Sequence, residues 1–316
     1  MKNVRNKNSI PTWFLYAAIA VLLFMNIFAW WQKEHTINTQ SAENAYSFID
    51  PSRRFVAQEN LIVNFQSLRE EINRGYEHNP DVSMYFEYLP TGANISTNKD
   101  AEFYPASLLK VPVAVAVAKK IERGEWKWSN ELVLLSGDRD NLFGTLYRAP
   151  LNSTHTIEDL VLRSLVESDN TAHFILLRNL ETEEVEAVYE HIGLKGFFDT
   201  DGRISAKRYS TIFRMLYTSS YLSPAYSQKL LAFMTESAFD DFVEGGLPDK
   251  TMFSHKIGIA TDKNVFVDSG IVYAGARPYI LTVMVKTSDE ELAQRIMRDI
   301  SGKVYSYVKN YVEEDF

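Results

Sequence analysis

Between residues 252 and 287 the chain carries three runs of strand formers, 252–259, 265–273 and 279–287. The stretches between them, Thr261-Asp262-Lys263-Asn264 and Gly275-Ala276-Arg277-Pro278, read as turns. Connections this short join antiparallel strands, because a parallel pair needs a crossover of a dozen residues or more. Two more strand candidates lie far upstream. Residues 82–88 are Val-Ser-Met-Tyr-Phe-Glu-Tyr, Leu89-Pro90-Thr91-Gly92 turns them, and 93–97 pairs back as a hairpin. The predicted fold is therefore α+β, a five-stranded antiparallel sheet that helices must cover.

The helices are read from apolar spacing and caps. One begins near Asn60, with Leu61, Ile62, Phe65, Leu68 and Ile72 on one face, and stops near Gly75. A second follows Ser107 and ends near Gly124, before a loop-rich stretch to Asn152. Thr156-Ile157-Glu158-Asp159 opens a helix to Val166, and the next buries Ala172, Ile175, Leu176 and Leu180. Thr182 caps another, and 205–217 and 223–236 are two more, the latter with Pro224 in the first helical position. Ser288-Asp289-Glu290-Glu291 caps the last, with Leu292, Ile296 and Ile300 at core positions. In this order the N- and C-terminal helices flank the sheet, and the middle helices form an all-helical lobe.

A second constraint lies at the start. Residues 12–31 are almost wholly apolar, and twenty residues of helix span about 30 Å, the hydrocarbon thickness of a bilayer. Lys2, Arg5 and Lys7 precede the run, which favours a cytoplasmic N-terminus and an exported remainder. Bulky Trp30-Trp31-Gln32-Lys33 follows where a signal peptide would have small residues for cleavage, so an uncleaved anchor is the better reading. The expected organisation is a basic N-terminus, 1–11; a transmembrane anchor, 12–31; a polar linker, 32–57; and one domain, 58–316, monomeric on the cytoplasmic membrane. A chain of 316 residues, 46% hydrophobic, can bury a substantial core. Cysteine is absent, which excludes disulfides and a thiolate nucleophile, and none of the six histidines has metal-ligand spacing. The net charge of −8 argues against a nucleic-acid partner.

The chemistry-bearing candidates fall into three groups. Ser107-Leu108-Leu109-Lys110 sets a serine and a lysine one turn apart at the start of an Ala/Val helix. A serine hydroxyl holds its proton too tightly to attack at neutral pH. A buried lysine can lose its own proton and accept the serine's. A second Ser-x-x-Lys, Ser96-Thr97-Asn98-Lys99, lies in the hairpin and reads as a surface serine near a solvated lysine. Ser168-Asp169-Asn170 sits between two helices, where its side chains either cap a helix or point into a cleft. Lys256-Ile257-Gly258 lies on a strand, where glycine allows close approach of backbone or ligand. If Lys256 faces the cleft, His255 faces away from it.

Ser-x-x-Lys, Ser-Asp-Asn and Lys-x-Gly in this order resemble the motif set of class A β-lactamases and penicillin-binding proteins. The resemblance extends over about residues 60–312, including the 82–92 hairpin, Leu222-Ser223-Pro224 and Gly246-Leu247-Pro248. It implies that Ser107 is the nucleophile toward a β-lactam or D-alanyl amide and that Lys110 takes or relays its proton. Ser168 passes a proton to the leaving nitrogen. Asn170 holds the substrate side chain and Lys110, and Lys256 faces the substrate carboxylate and tunes Ser168. Gly258 and Ile259 line the binding strand, and the N–H groups of Ser107 and Ile259 form the oxyanion hole. The partners implied are a β-lactam or a peptidoglycan stem peptide, with no metal or organic cofactor.

The sequence departs from that family twice. Ile257 stands where a Thr or Ser hydroxyl usually helps hold the carboxylate. The chain is also shorter after Gly193, and the long Ω-loop with its water-activating glutamate has no counterpart; Asp199 and Asp201 are the nearby carboxylates. Three readings stay open: a β-lactam hydrolase, a D,D-peptidase that releases β-lactams slowly, and an acylable sensor or peptidoglycan-binding pseudoenzyme.

Overall fold

The computed structural model describes residues 25–26, 46–50, 56–195 and 202–311. The expected transmembrane run lies outside the described residues except for Met25 and Asn26, which are helical. Among the described residues no helix is long and apolar enough to cross a membrane. The chain divides into two units, Met1–Ser47 and Phe48–Phe316, and the elements below belong to the second.

In chain order these are α1 (Gln66–Tyr76), β1 (Val82–Tyr88), β2 (Asn94–Thr97), β3 (Glu102–Phe103), α2 (Lys110–Glu122), β4 (Glu131–Val133) and β5 (Thr154–Thr156). Then come α3 (Ile157–Val166), α4 (Asn170–Arg178), α5 (Thr182–His191), β6 (Ile204–Ser205), α6 (Ala206–Tyr217) and α7 (Pro224–Met234). The chain closes with β7 (Met252–Ala260), β8 (Val265–Tyr273), β9 (Tyr279–Lys286) and α8 (Glu290–Asn310). The main sheet runs β2-β1-β9-β8-β7, antiparallel throughout. The first hairpin thus docks on the last strand of the meander, and β7 is left as an edge. Both faces are covered, which is why β1, β8 and β9 read as nearly continuous buried runs. One face packs α1 and α8 over Phe86, Ile257, Phe266 and Leu281, and α6 lies against β1, β8 and β9.

Local chemistry explains most boundaries. Thr156, Asp169 and Asp289 cap α3, α4 and α8 by accepting N–H bonds from Asp159, Ala172 and Leu292. Four details correct the sequence reading. Helix α1 starts at Gln66, because the carbonyls of Asn60 and Ile62 are taken by the Tyr88 and Thr91 hydroxyls; Leu61 is consequently 43% exposed. Glu181 caps α5 one residue before Thr182. Helix α8 buries Ala293, Met297, Ile300, Val304 and Val308, a stripe rotated from Leu292, which is exposed. The stretch before Asn152 holds β4, which pairs with β5 beyond it. In addition, Phe48 and Ile49, inside the expected linker, are buried; Phe48 N–H donates to Gln228 Oε1 at 2.8 Å and its carbonyl accepts from the Tyr273 hydroxyl at 2.9 Å.

Candidate active site

Ser107 sits in a 3₁₀ turn, Ala106–Leu109, that runs directly into α2 at Lys110. Three contacts fix this turn. Leu108 N–H donates to Pro105 O at 3.0 Å, and the Tyr209 hydroxyl of α6 donates to Leu108 O at 2.7 Å. The turn also lies against Gly258 of β7, where a Cβ would meet Pro105 O at 2.7 Å and Ser107 N at 3.0 Å. Ala106 is held at φ +48°, a left-handed conformation that costs a non-glycine residue about 1–3 kcal/mol and persists only under such constraint.

Lys110 Nζ is buried and has four oxygens around it: Ser107 Oγ at 2.9 Å, Ser168 O at 2.7 Å, Ser168 Oγ at 3.1 Å and Asn170 Oδ1 at 2.6 Å. Burial pushes its pKa down to about 7, against the opposing pull of Asp169 and Asp140. A neutral amine has two N–H groups and one lone pair. The Ser168 carbonyl and the Asn170 amide oxygen can only accept, so they take the two N–H groups and leave the lone pair for a hydroxyl proton. The geometry therefore suits a base beside Ser107.

The segment 168–170 is shaped by its caps. Ser168 has φ +55°. Asp169 is fully buried, and besides capping α4 its Oδ2 accepts from Thr145 N–H at 2.7 Å and Leu146 N–H at 2.8 Å. Gly144 makes that possible, since a Cβ there would lie 2.0 Å from Asp169 Oδ2. Asn170 Nδ2 donates to Asp140 Oδ1 at 2.9 Å, which fixes the amide so that its oxygen faces Lys110. Asp140 and Gly144 escape the sequence reading because they lie in a stretch without periodicity and act on residues some 25–30 positions away.

Ser107, Lys110, Asn170 and Ile259 line one cavity of about 280 Å³, with Leu142, Phe143 and His173 among its other walls. Ser168 and Lys256 are buried and do not line this cavity themselves, though Ser168 is hydrogen-bonded to Lys110. Lys256 Nζ donates to Ile257 O at 3.0 Å and lies over the Phe239 ring, 5.6 Å from its centre; the Phe239 and Phe143 rings are 6.4 Å apart. Burial and the nearby Lys110 charge push its pKa well down, only partly opposed by Asp268. No hydrogen bond joins it to Ser168 among the described residues. His255 points the other way, as strand alternation requires, with Nδ1 2.8 Å from Asp268 Oδ1. Ile257 also faces away and is packed in the core, so this position offers the cleft no polar group. His173 was not foreseen. It is neutral, its pKa pushed down to about 3 by burial and by the charges of Lys110 and Lys256, and its buried Nδ1 has no hydrogen-bond partner among the described residues. Asp199 and Asp201 lie outside the described residues. Among the described residues no group of three His, Asp or Glu side chains is placed to hold a metal ion.

Several solved structures share this architecture. PBP-A superposes with a TM-score of 0.70 at 23% identity, over 78% of this chain and 97% of that one. A mutant of PBP-A, solved as its acyl-enzyme complex with penicillin G, gives 0.69 at 23% identity, over the same shares of the two chains. A β-lactamase from Sphaerobacter thermophilus gives 0.70 at 20% identity, over 79% of this chain and all of that one. In sequence, the β-lactamase VEB-1 of Pseudomonas aeruginosa is 22% identical over 246 residues, 68% of this chain and 81% of that protein. The profile of the Beta-lactamase enzyme family matches residues 66–308, a span that contains the whole Ser107 cavity and the sheet beside it. Motifs, fold and profile agree, and the chain belongs to the β-lactamase enzyme family.

Proposed function

We propose that this chain is a serine hydrolase that forms an acyl-enzyme at Ser107 with a β-lactam or a D-alanyl peptide amide. The observation that carries the reading is Lys110, a buried amine with a pKa near 7, hydrogen-bonded to the hydroxyls of both Ser107 and Ser168. In the reaction, neutral Lys110 takes the Ser107 proton as Oγ attacks the carbonyl carbon. The N–H groups of Ser107 and Ile259 hold the oxyanion. Ser168 relays the proton to the leaving nitrogen, the C–N bond breaks, and an ester remains on Ser107. Asn170 orients the acyl side chain, and Lys256 meets the substrate carboxylate once the Phe239 ring moves aside. Lys256, in the same cleft, favours a substrate that bears a carboxylate.

Release of the ester needs a water and a base within about 3 Å of it. Asp262 is the carboxylate lining the cavity among the described residues, and it is 74% exposed and 3.2 Å from Lys263, at the rim. This favours peptidase-like behaviour, because a β-lactam's leaving nitrogen stays tethered in the path of water whereas a peptide's departs. Mass spectrometry of the full chain with penicillin G should show one equivalent bound within the burst and slow release. Ser107→Ala should show no adduct, whereas Ser96→Ala should label normally. Label persisting in Ser107→Ala would move the nucleophile elsewhere. Rapid hydrolysis without a burst would overturn the slow-release reading, and an adduct that never leaves would favour a sensor.

The apolar run 12–31 and its basic flank support placing the domain outside the cytoplasmic membrane. Protease added to intact cells should then remove the domain. Digestion only after lysis would reverse the orientation.

A further inference from the structure

The Ser107 cavity is the smaller of two neighbouring hollows. A second one, of about 800 Å³, is lined by Tyr104, Lys263, Lys286, Arg203, Asp81 and Glu102, among others. Tyr104, three residues before Ser107, lines both. The turn Thr261–Lys263 that ends β7 also touches both, with Asp262 on the Ser107 side and Lys263 on the other. Lys263 Nζ lies 5.1 Å from the centre of the Tyr104 ring and 3.2 Å from Asp262 Oδ2. The partition at this point is made of exposed or half-buried side chains, which can rearrange without moving the sheet.

The order of residues along β7 gives the two hollows a direction. The strand runs from Lys256, through Gly258 and Ile259, to Ala260 and then the partition. A substrate with its carboxylate toward Lys256 and its reacting carbonyl at Ser107 sends the rest of its acyl part toward Ala260 and Asp262. A compact bicyclic ligand is filled out by a cavity of about 280 Å³. An acyl donor extended by further residues, at about 3.3 Å each, continues into the larger hollow. Charge there favours an anion. Three cations face two carboxylates; Lys263 is paired with Asp262 and Glu102 lies 3.6 Å from Arg208, so the balance toward an anion rests on Lys286. Lys286 is exposed and makes no ion pair among the described residues.

We propose that the second hollow is a subsite for the distal, carboxylate-bearing end of an extended acyl-donor peptide. This rests on acylation at Ser107, and it adds a preference that a compact β-lactam does not probe. The test compares two thioester peptides of equal length that end in D-alanine and differ only in an N-terminal succinyl or acetyl cap. Full-length protein is acylated with each, and with penicillin G, and the second-order rate constants are read from adduct mass and thiol release. The succinyl peptide should react about tenfold faster than the acetyl peptide at low salt, and the ratio should shrink as salt is raised. Lys286→Glu should bring the ratio to one or below. Because both peptides are read in the same protein, a general loss of activity cancels. Equal rates in the wild type, or a preference that survives Lys286→Glu, would overturn the subsite while penicillin acylation left the Ser107 reading standing. Absence of acylation by all three probes would remove both.

Discussion

Lys110 must be buried to lose its proton, yet it must stay hydrogen-bonded to remain in place. Its four oxygen neighbours satisfy the second demand without supplying a carboxylate in direct contact. The consequence is a pH dependence of known sign. With the pKa lowered to about 7, the basic amine form is scarce at pH 5.5 and dominant above pH 8. Acylation by penicillin G should therefore rise with pH through about 7 and level off above it. Lys110→Arg cannot deprotonate in this range, and it should lower the rate constant by roughly 10²–10⁴. A flat profile between pH 6 and 8 would show that Lys110 is not the base. At this scale the sequence was legible where a residue's role is local: Ser107 and Lys110 are one turn apart, and Asp169 caps its own helix. It was silent where a role depends on distant chain, as with Asp140 beneath Asn170 or Phe239 over Lys256, because neither follows from spacing or propensity.

Among the elements, β7 and the Ser107 turn depend on each other most closely. Being an edge strand, β7 presents backbone to the cavity instead of to another strand. The Ser107 turn approaches it so closely that only glycine fits at 258. Gly258→Ala would place a methyl 2.7 Å from both Pro105 O and Val267 Cγ2. The strand is held by its whole ladder to β8, so the turn should yield first. Overpacking of this kind costs about 1–3 kcal/mol. The expected result is a folded but less stable protein whose acylation by penicillin falls far more than its stability does. Denaturant unfolding and acylation kinetics on the same sample check this, and unchanged acylation would mean that the turn is not seated on Gly258 as described. Element type was readable from the sequence because strand and helix periods differ. Phase was harder: α8 offers both Leu292 and Ala293 as starts of an apolar stripe, and only packing against the sheet selects the second.

Taken as a whole, the molecule uses the sheet as a partition between two buried basic groups. Lys256 faces the cleft side, and its neighbour His255 faces the layer that includes α8. There His255 stacks on Phe253, with ring centres 4.2 Å apart. Its Nδ1 is 2.8 Å from Asp268 Oδ1, and its Nε2 is 3.2 Å from Glu244 Oε2, close enough for an ion pair though not aligned as a hydrogen bond. Burial opposes the charged ring, but Asp268 and Glu244 together more than offset it and raise the pKa to about 9. Glu244 begins a 3₁₀ turn, Glu244–Gly246, that packs against Arg298 of α8, and Asp268 also accepts from Val243 N–H at 3.3 Å. The histidine thus ties the loop carrying Phe239 to the sheet and, through it, to the C-terminal helix. The sign follows from linkage. A histidine whose folded pKa lies above its unfolded value of about 6.5 stabilises fully below pH 6.5, and the contribution is lost as pH rises through about 9. The shift corresponds to something on the order of 3 kcal/mol. Lys110 and Lys256 have lowered pKa values and act in the opposite sense, so absolute melting temperatures mix the two effects. The difference between wild type and His255→Gln separates them, because both proteins keep the lysines. Wild type should melt several degrees higher at pH 6, and the gap should close by about pH 10. A gap that stayed constant from pH 6 to 10 would mean that His255 contributes packing alone and that its ring is neutral in the folded protein.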